Sequence, residues 1–406
     1  MKNITLFSGG RGNYNLLEYI SKKNYKNFKL KIIINGLDDG ASTGTLRKIF
    51  DNKVHGISDF LKVILSISSK KKFVEVLSSR LPELYDEKDY LTFYKSLHNF
   101  LNIKSTKSIL NLKLNQIKKN EIDIIKNSFR ILNKFYFDKY STLLNYSDFK
   151  IGNILFSLFL IKNKFNFENT IYDFKELLGV SKNFEIFENT KQIGFLCGIL
   201  KNGVLLPNES SVVLTRSNDF IEKIFILSKP LSYEKINLVS SLEKNQKIKY
   251  LSNNSFYPKI NKNTRNSILD SNLIIYGSGT PYSSILPSLL THGLRLSIIN
   301  NLCPKVLISN LKKESSNSVS TLKLIDDLVS ALNKFSKTTN SSYIKLITHV
   351  IVSKKSVKNI QYIPSDILNI KKKYPKIQII EADITTDSDY FKHDGKKLFK
   401  ILKKLT

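Results

Sequence analysis

Residues 3–13 read NITLFSGGRGN, a β-prone run that ends in a glycine-rich loop. The following YNLLEYISKK (14–23) places Leu16, Leu17 and Ile20 on one face at helical spacing. A second apolar run, FKLKIIIN (28–35), leads into DDGASTG (38–44), and TLRKIF (45–50) opens another helix. Strand, small-residue loop and helix, repeated, predict the opening of a doubly wound α/β fold with a mostly parallel sheet. In such sheets ligands bind beyond the carboxyl ends of the strands, where both glycine loops fall.

The rest of the chain extends this pattern. SNLIIYGSGTPYSSILPSLL (271–290) is a third strand, small-residue loop and helix, and KVLISN (305–310) and KIQIIEAD (376–383) are further buried strands. TKQIGFLCGILKNGVLLPNESSVVL (190–214) reads as strands joined by an Asn202-Gly203 hairpin. Residues 67–146 carry mostly helical patterns and form a helical insertion. FKIGNILFSLFLIKN (149–163) is a strongly apolar helix opened by Gly152 and Asn153, and the end, HDGKKLFKILKKL, is amphipathic.

Composition narrows the class. Hydrophobic residues make up 41% of 406, enough for a sizeable core. No apolar run reaches the roughly 18 residues of a membrane span, and the start lacks the basic and apolar regions of a signal peptide. A cytoplasmic protein without a membrane role is expected. The two cysteines, Cys197 and Cys303, and five scattered histidines offer no zinc spacing. The formal charge is +30, yet only seven of the 64 basic residues are arginine, and lysine is spread along the whole chain. This reads as a solvated lysine surface rather than a nucleic-acid face, although it attracts anions at long range.

Three constellations carry chemistry. In SGGRGN, Gly9, Gly10 and Gly12 allow backbone N–H groups close to a phosphate, and Arg11 and Asn13 add polar contacts. The spacing completes neither GxGxxG nor GxxxxGK[ST]. In DDGASTG, Asp38 and Asp39 suit a divalent cation or ribose hydroxyls; Ser42, Thr43, Gly44 and the nearby Arg47 suit phosphate oxygens. An Asp-Gly turn with a hydroxyl cap explains one acid and one hydroxyl of that set, not all of it. In GSGTPYSS, Gly277, Gly279, Thr280 and Ser283 form a third small-residue loop. His393-Asp394 reads as a local structural pair.

These ordered motifs resemble the CofD-like family, which contains 2-phospho-L-lactate transferases of deazaflavin cofactor synthesis and YvcK-type gluconeogenesis factors. The resemblance is carried by the opening strand with GGRG, by DDGASTGTLR, by Gly152-Asn153, by GSGTPYSSILPSLL, by Asn310 after KVLIS, and by His393-Asp394 before a Leu-rich helix. Where many relatives carry Gly-Asp-Ile-Arg-Asn, this chain has HGISDFLK, which keeps an acid at Asp59. The resemblance implies a single CofD-like domain over 1–406 with a Rossmann-like core, interrupted by the insertion at 67–146. It implies a transferase of phosphorus-containing groups acting on a GDP- or UDP-linked donor, with Mg²⁺ held by Asp38 and Asp39. Asp38, Asp39 and Asp59 are then the catalytic candidates. Gly9, Gly10, Arg11, Gly12, Asn13, Ser42, Thr43, Gly44 and Arg47 cradle phosphates. Asn153, Gly277, Gly279, Thr280, Ser283 and Asn310 shape the remainder. The alternative within the family is a non-catalytic sugar-nucleotide-binding regulator of the YvcK type; a homodimer is the expected assembly if the chain self-associates.

Overall fold

A computed structural model describes residues 1–23, 25, 27–37, 41–102, 112–215, 219–312, 319–334, 343–354, 363 and 365–406. Ten strands are present among them: β1 (Lys2–Ser8), β2 (Phe28–Ile34), β3 (Phe184–Glu188), β4 (Phe195–Leu200), β5 (Leu205–Leu206), β6 (Ile221–Leu227), β7 (Leu273–Tyr276), β8 (Lys305–Ile308), β9 (His349–Ser353) and β10 (Gln378–Ala382). The first eight α-helices are α1 (Tyr14–Lys23), α2 (Ala41–Ile49), α3 (Ser58–Ile67), α4 (Lys71–Ser78), α5 (Glu87–Asn102), α6 (Lys119–Tyr140), α7 (Ile151–Lys162) and α8 (Phe167–Leu177). The chain divides into two compact units. One comprises Met1–Gly40, Ser58–Ile67 and Ser181–Thr406; the other comprises Ala41–Ile57 and Ser68–Val180.

The first unit is built on a seven-stranded sheet in the order β10-β9-β8-β7-β1-β2-β3, with every pairing parallel. This is the doubly wound arrangement expected from the sequence. A parallel sheet is covered on both faces, so its strands are continuous apolar runs rather than alternating ones. Ile32, Ile33 and Ile34 are all fully buried. From β1 the chain builds outward in one direction through β2 and β3 and in the other through β7 to β10. The switch point therefore lies between β1 and β7. Register aligns the strand ends there, because Phe7 pairs with Tyr276 and Tyr276 with Leu307. The loops after β1, β7 and β8 thus leave the sheet side by side. On one face, Phe7, Tyr276, Leu307, Val350 and Val352 pack with Leu324, Ile325 and Leu328 of helix Thr321–Asn333. A small antiparallel sheet, β5-β4-β6, occupies the chain between β3 and β7. Its β4–β5 turn is the expected Asn-Gly hairpin, with Gly203 at φ +88° and Asn202 Oδ1 accepting from the Val204 N–H at 3.1 Å.

The second unit is helical among its described residues: α2 and α4 to α8. Its core is aromatic. Phe129 sits 5.2 Å from Tyr146 and 6.1 Å from Phe100, and Phe156 lies 5.4 Å from Phe174. α7 is buried from Ile151 to Leu160, which accounts for its apolar sequence on every side. One boundary differs from the sequence expectation: α2 begins at Ala41, so Ser42, Thr43 and Gly44 lie in the helix rather than in a loop before Thr45. First-turn N–H groups have no intrahelical partner in any case, so small polar residues are tolerated there. Among the described residues, no helix is long and apolar enough to cross a membrane.

Candidate functional site

The site is assembled where the loops after β1 and β7 meet. Four of the five glycines there are explained by an ideal Cβ that would collide with the facing loop. At Gly9 it would lie 2.2 Å from Ser284 Cβ, at Gly12 2.3 Å from the Ser278 carbonyl oxygen, at Gly277 2.3 Å from Asn13 Nδ2, and at Gly279 2.4 Å from the Gly9 carbonyl oxygen. Gly10 is different. Its nearest neighbour would be Thr280 Oγ1 at 3.9 Å, and its requirement for glycine comes from φ +59°. Four glycines therefore serve interlocking and one serves the turn.

Hydrogen bonds knit the same loops. Ser278 Oγ donates to the Gly12 carbonyl at 2.9 Å, and Asn13 Nδ2 donates to Ser8 Oγ at 3.1 Å. Asn310, just past β8, holds Gly279 twice: Nδ2 donates to its carbonyl at 2.9 Å and Oδ1 accepts its N–H at 3.1 Å. Asn35 Nδ2, at the end of β2, donates to the Ser283 carbonyl at 3.0 Å. Ser283 Oγ donates to Thr280 Oγ1 at 2.7 Å. The accessible rim is Gly10, Arg11, Gly12, Gly279, Thr280 and Asn310, over a buried floor that includes Asn13, Ser278, Ser283 and Ser284.

Asp59, the second residue of α3, enters this cluster from a different element. Its carboxylate is buried, and Oδ1 accepts from the Gly10 N–H and from Lys62 Nζ, both at 3.0 Å. Among the described residues, Oδ2 is buried with no hydrogen-bond partner. A buried carboxylate oxygen left unsatisfied costs free energy, of order 1–3 kcal/mol, which a donor on a ligand recovers. The Gly10 and Gly279 amides, offered by the sequence to a phosphate, are engaged within the protein by Asp59 and Asn310.

His393 lies under the same cluster. It is buried, its Nε2 donates to the Ser309 carbonyl at 3.0 Å, and its own carbonyl accepts from Asn15 Nδ2, in the first turn of α1, at 2.8 Å. Burial pulls its pKa down to about 4, so the ring is neutral and Nε2 carries the proton. Asp394 is a helix cap: its carboxylate accepts the Lys397 N–H at 2.8 Å.

The first unit thus brings together Gly9, Gly10, Arg11, Gly12, Asn13, Asp59, Gly277, Gly279, Thr280, Ser283 and Asn310. Thr43, Gly44 and Arg47, on α2, and Asn153, on α7, belong to the second unit, where Thr43, Arg47 and Asn153 are buried. Ser42 is placed only as part of the α2 backbone. Asp38 and Asp39 lie outside the described residues. Sequence reading missed Asn15, Asn35, Ser278 and the reach of His393, whose partners are distant in sequence; Asn35 and Ser278 lie inside the quoted stretches FKLKIIIN and GSGTPYSS, which is the one signal that pointed to them. Among the described residues no group of three or more His, Cys, Asp or Glu side chains could hold a metal, and Cys197 and Cys303 are both free thiols.

Two solved structures of a UPF0052-family protein from Bacillus halodurans share the fold. One aligns with a TM-score of 0.65 at 14% identity over 99% of this chain and 98% of the other. The second aligns with a TM-score of 0.63 at 15% identity over 99% of each. No curated protein matches the chain. The sequence model described as "2-phospho-L-lactate transferase CofD" matches residues 4–385, nearly the whole length, and the chain belongs to the CofD family.

Proposed function

We propose that the protein is a transferase of a phosphorus-containing group, taking it from a nucleotide-diphosphate-linked donor and passing it to a hydroxyl acceptor. The observation that carries this reading is the buried Oδ2 of Asp59, without a hydrogen-bond partner among the described residues, beside the Gly10 turn at the switch point. Lys62 already neutralises this carboxylate through Oδ1, so Oδ2 is suited to a hydroxyl rather than to a second cation. Asp59 accepts the proton of the acceptor hydroxyl as its oxygen bonds to phosphorus, and the phosphorus–oxygen bond to the nucleotide breaks. Thr280 on the rim contacts the donor phosphates, and Arg11, exposed on the first loop, adds a cationic contact.

Magnesium belongs to this proposal through Asp38 and Asp39 alone. The described residues do not form a cation site by themselves, so no step above depends on the metal. A second reading, a non-catalytic sugar-nucleotide-binding regulator, is favoured by HGISDFLK standing where many relatives carry Gly-Asp-Ile-Arg-Asn. One experiment separates the two. Incubation with GDP- and UDP-linked donors and alcohol acceptors, with and without Mg²⁺, is followed by ³¹P NMR and mass spectrometry. The transferase reading expects nucleotide release, and a loss of roughly 10²-fold or more in rate for Asp59→Asn with donor binding retained. Donor recovered intact after saturable binding to the unaltered protein would establish the regulator instead.

A further inference from the structure

The buried His393 lies off the accessible rim, and the transferase reading gives it no task. Its two polar ends reach opposite sides of the switch point. The imidazole Nε2 donates to Ser309, at the end of β8, and the main-chain oxygen of the same residue accepts from Asn15 of α1, the helix that follows β1. Ser309 is followed by Asn310, which grips both the N–H and the carbonyl of Gly279. Gly279 in turn rests on the Gly9 carbonyl, with no room for a Cβ. A single chain of contacts therefore runs from His393 through Ser309-Asn310 and Gly279 to the Gly9-Gly10 turn that Asp59 holds.

The segment that delivers His393 is itself pinned. Thr385 bridges to His393, the Asp394 N–H donates to the Ile384 carbonyl at 2.8 Å, and Gly395 is packed so closely on α1 that an added Cβ would lie 2.1 Å from the Asn15 carbonyl oxygen. We propose that His393 is a positioning residue for the ligand site: it clasps the β8 end to α1 and so fixes Asn310 on Gly279 and the two glycine loops on one another. Its ring, kept neutral by burial, always presents Nε2–H to the Ser309 carbonyl near neutral pH. The loops after β1 and β7 already touch, through Ser278 on Gly12 and Gly279 on Gly9, but neither contact ties β8 to α1. The clasp supplies that tie from the C-terminal segment.

This inference rests on the site described above, and its test does not need a known substrate. Hydrogen–deuterium exchange is measured on the free protein for peptides covering 8–13, 277–284 and 305–312, with the small sheet at 195–227 as an internal reference. His393→Phe fills the space without a donor; His393→Gln restores an N–H at the position of Nε2. The expectation is that His393→Phe speeds exchange in the three loop peptides about tenfold or more and leaves the reference unchanged. His393→Gln should return them toward the native rate. Unchanged loop exchange in folded His393→Phe, or Gln performing no better than Phe, overturns the proposal. Asn15→Ala, which removes the other half of the clasp, carries the same expectation and decides the matter if His393→Phe does not fold. A second arm measures GDP and UDP affinity, expected to weaken about tenfold in His393→Phe and to recover with Gln. If the native protein binds neither nucleotide, the transferase reading falls and the exchange result still decides this one.

Discussion

Five glycines that look interchangeable in sequence have two different jobs. Gly9, Gly12, Gly277 and Gly279 are small because another loop's atoms occupy the Cβ position, whereas Gly10 is a glycine because of its left-handed backbone. The two causes predict different costs. Gly12→Ala places a methyl 2.3 Å from the Ser278 carbonyl oxygen and Gly279→Ala places one 2.4 Å from the Gly9 carbonyl oxygen. Neither obstacle is a flexible side chain, so each loop must shift, at an expected cost of about 2–3 kcal/mol. Gly10→Ala has open space around it and incurs only the backbone penalty, about 1–2 kcal/mol. Urea denaturation of the three variants checks the order. A Gly12→Ala protein as stable as the native one would refute the interlock. The distinction matters for function because interlocked loops are preorganised: their geometry is set before a ligand arrives.

At the scale of elements, the first strand, loop and helix were legible because each is governed locally. β1 is an apolar run, α1 carries its three buried residues on one face, and a glycine loop must separate them. The same holds for β7 with its loop and for the closing helix Gly395–Lys404. That helix yields a direct prediction. Asp394 is its N-cap, so Asp394→Ala should cost about 1 kcal/mol and Asp394→Asn much less, read as shifts in the urea midpoint. Equal effects of Ala and Asn would mean that the side-chain cap is not what starts the helix. The start of α2 was misplaced because Ala, Ser, Thr and Gly suit a loop and a first helical turn equally. β9 escaped notice because HVIVS is five residues long with no glycine turn beside it. In the site, the two glycine loops and Asn310 could be named from sequence. Their use could not, because it depends on contacts between residues that are 31 to 378 positions apart, such as Asn310 with Gly279 and Asn15 with His393.

Across the whole molecule two terms act on stability in the same direction as pH falls, and salt separates them. The first is charge: at +30 near neutrality the chain repels itself, and protonating its 34 acidic residues increases that repulsion. The second is burial of neutral histidine. Desolvation lowers the pKa of His393 to about 4, and it also lowers that of His349. A histidine that resists protonation when folded but accepts it near 6.5 when unfolded favours the folded state fully above 6.5. That contribution is lost as pH falls toward 4. For His393 the gap predicts a loss of about 2 kcal/mol by pH 5. On its own segment, Lys392 pairs with Asp389, Asp394 caps the closing helix, and Lys397 pairs with Asp383 and Asp387. Raising ionic strength from about 10 mM to 200 mM shortens the Debye length from about 30 Å to less than 10 Å, which weakens repulsion between surface lysines. It does not change the cost of charging a buried ring. Thermal unfolding at pH 7 and pH 5, at both salt concentrations, should therefore show a Tm that rises with salt at each pH and an acid loss that salt only partly repairs. In His393→Gln the unrepaired part should shrink, because the group that must take up the proton is gone. A salt-induced fall in Tm at pH 7 would mean that specific ion pairs outweigh the net repulsion, and an acid loss fully restored by salt would assign it to surface charge alone.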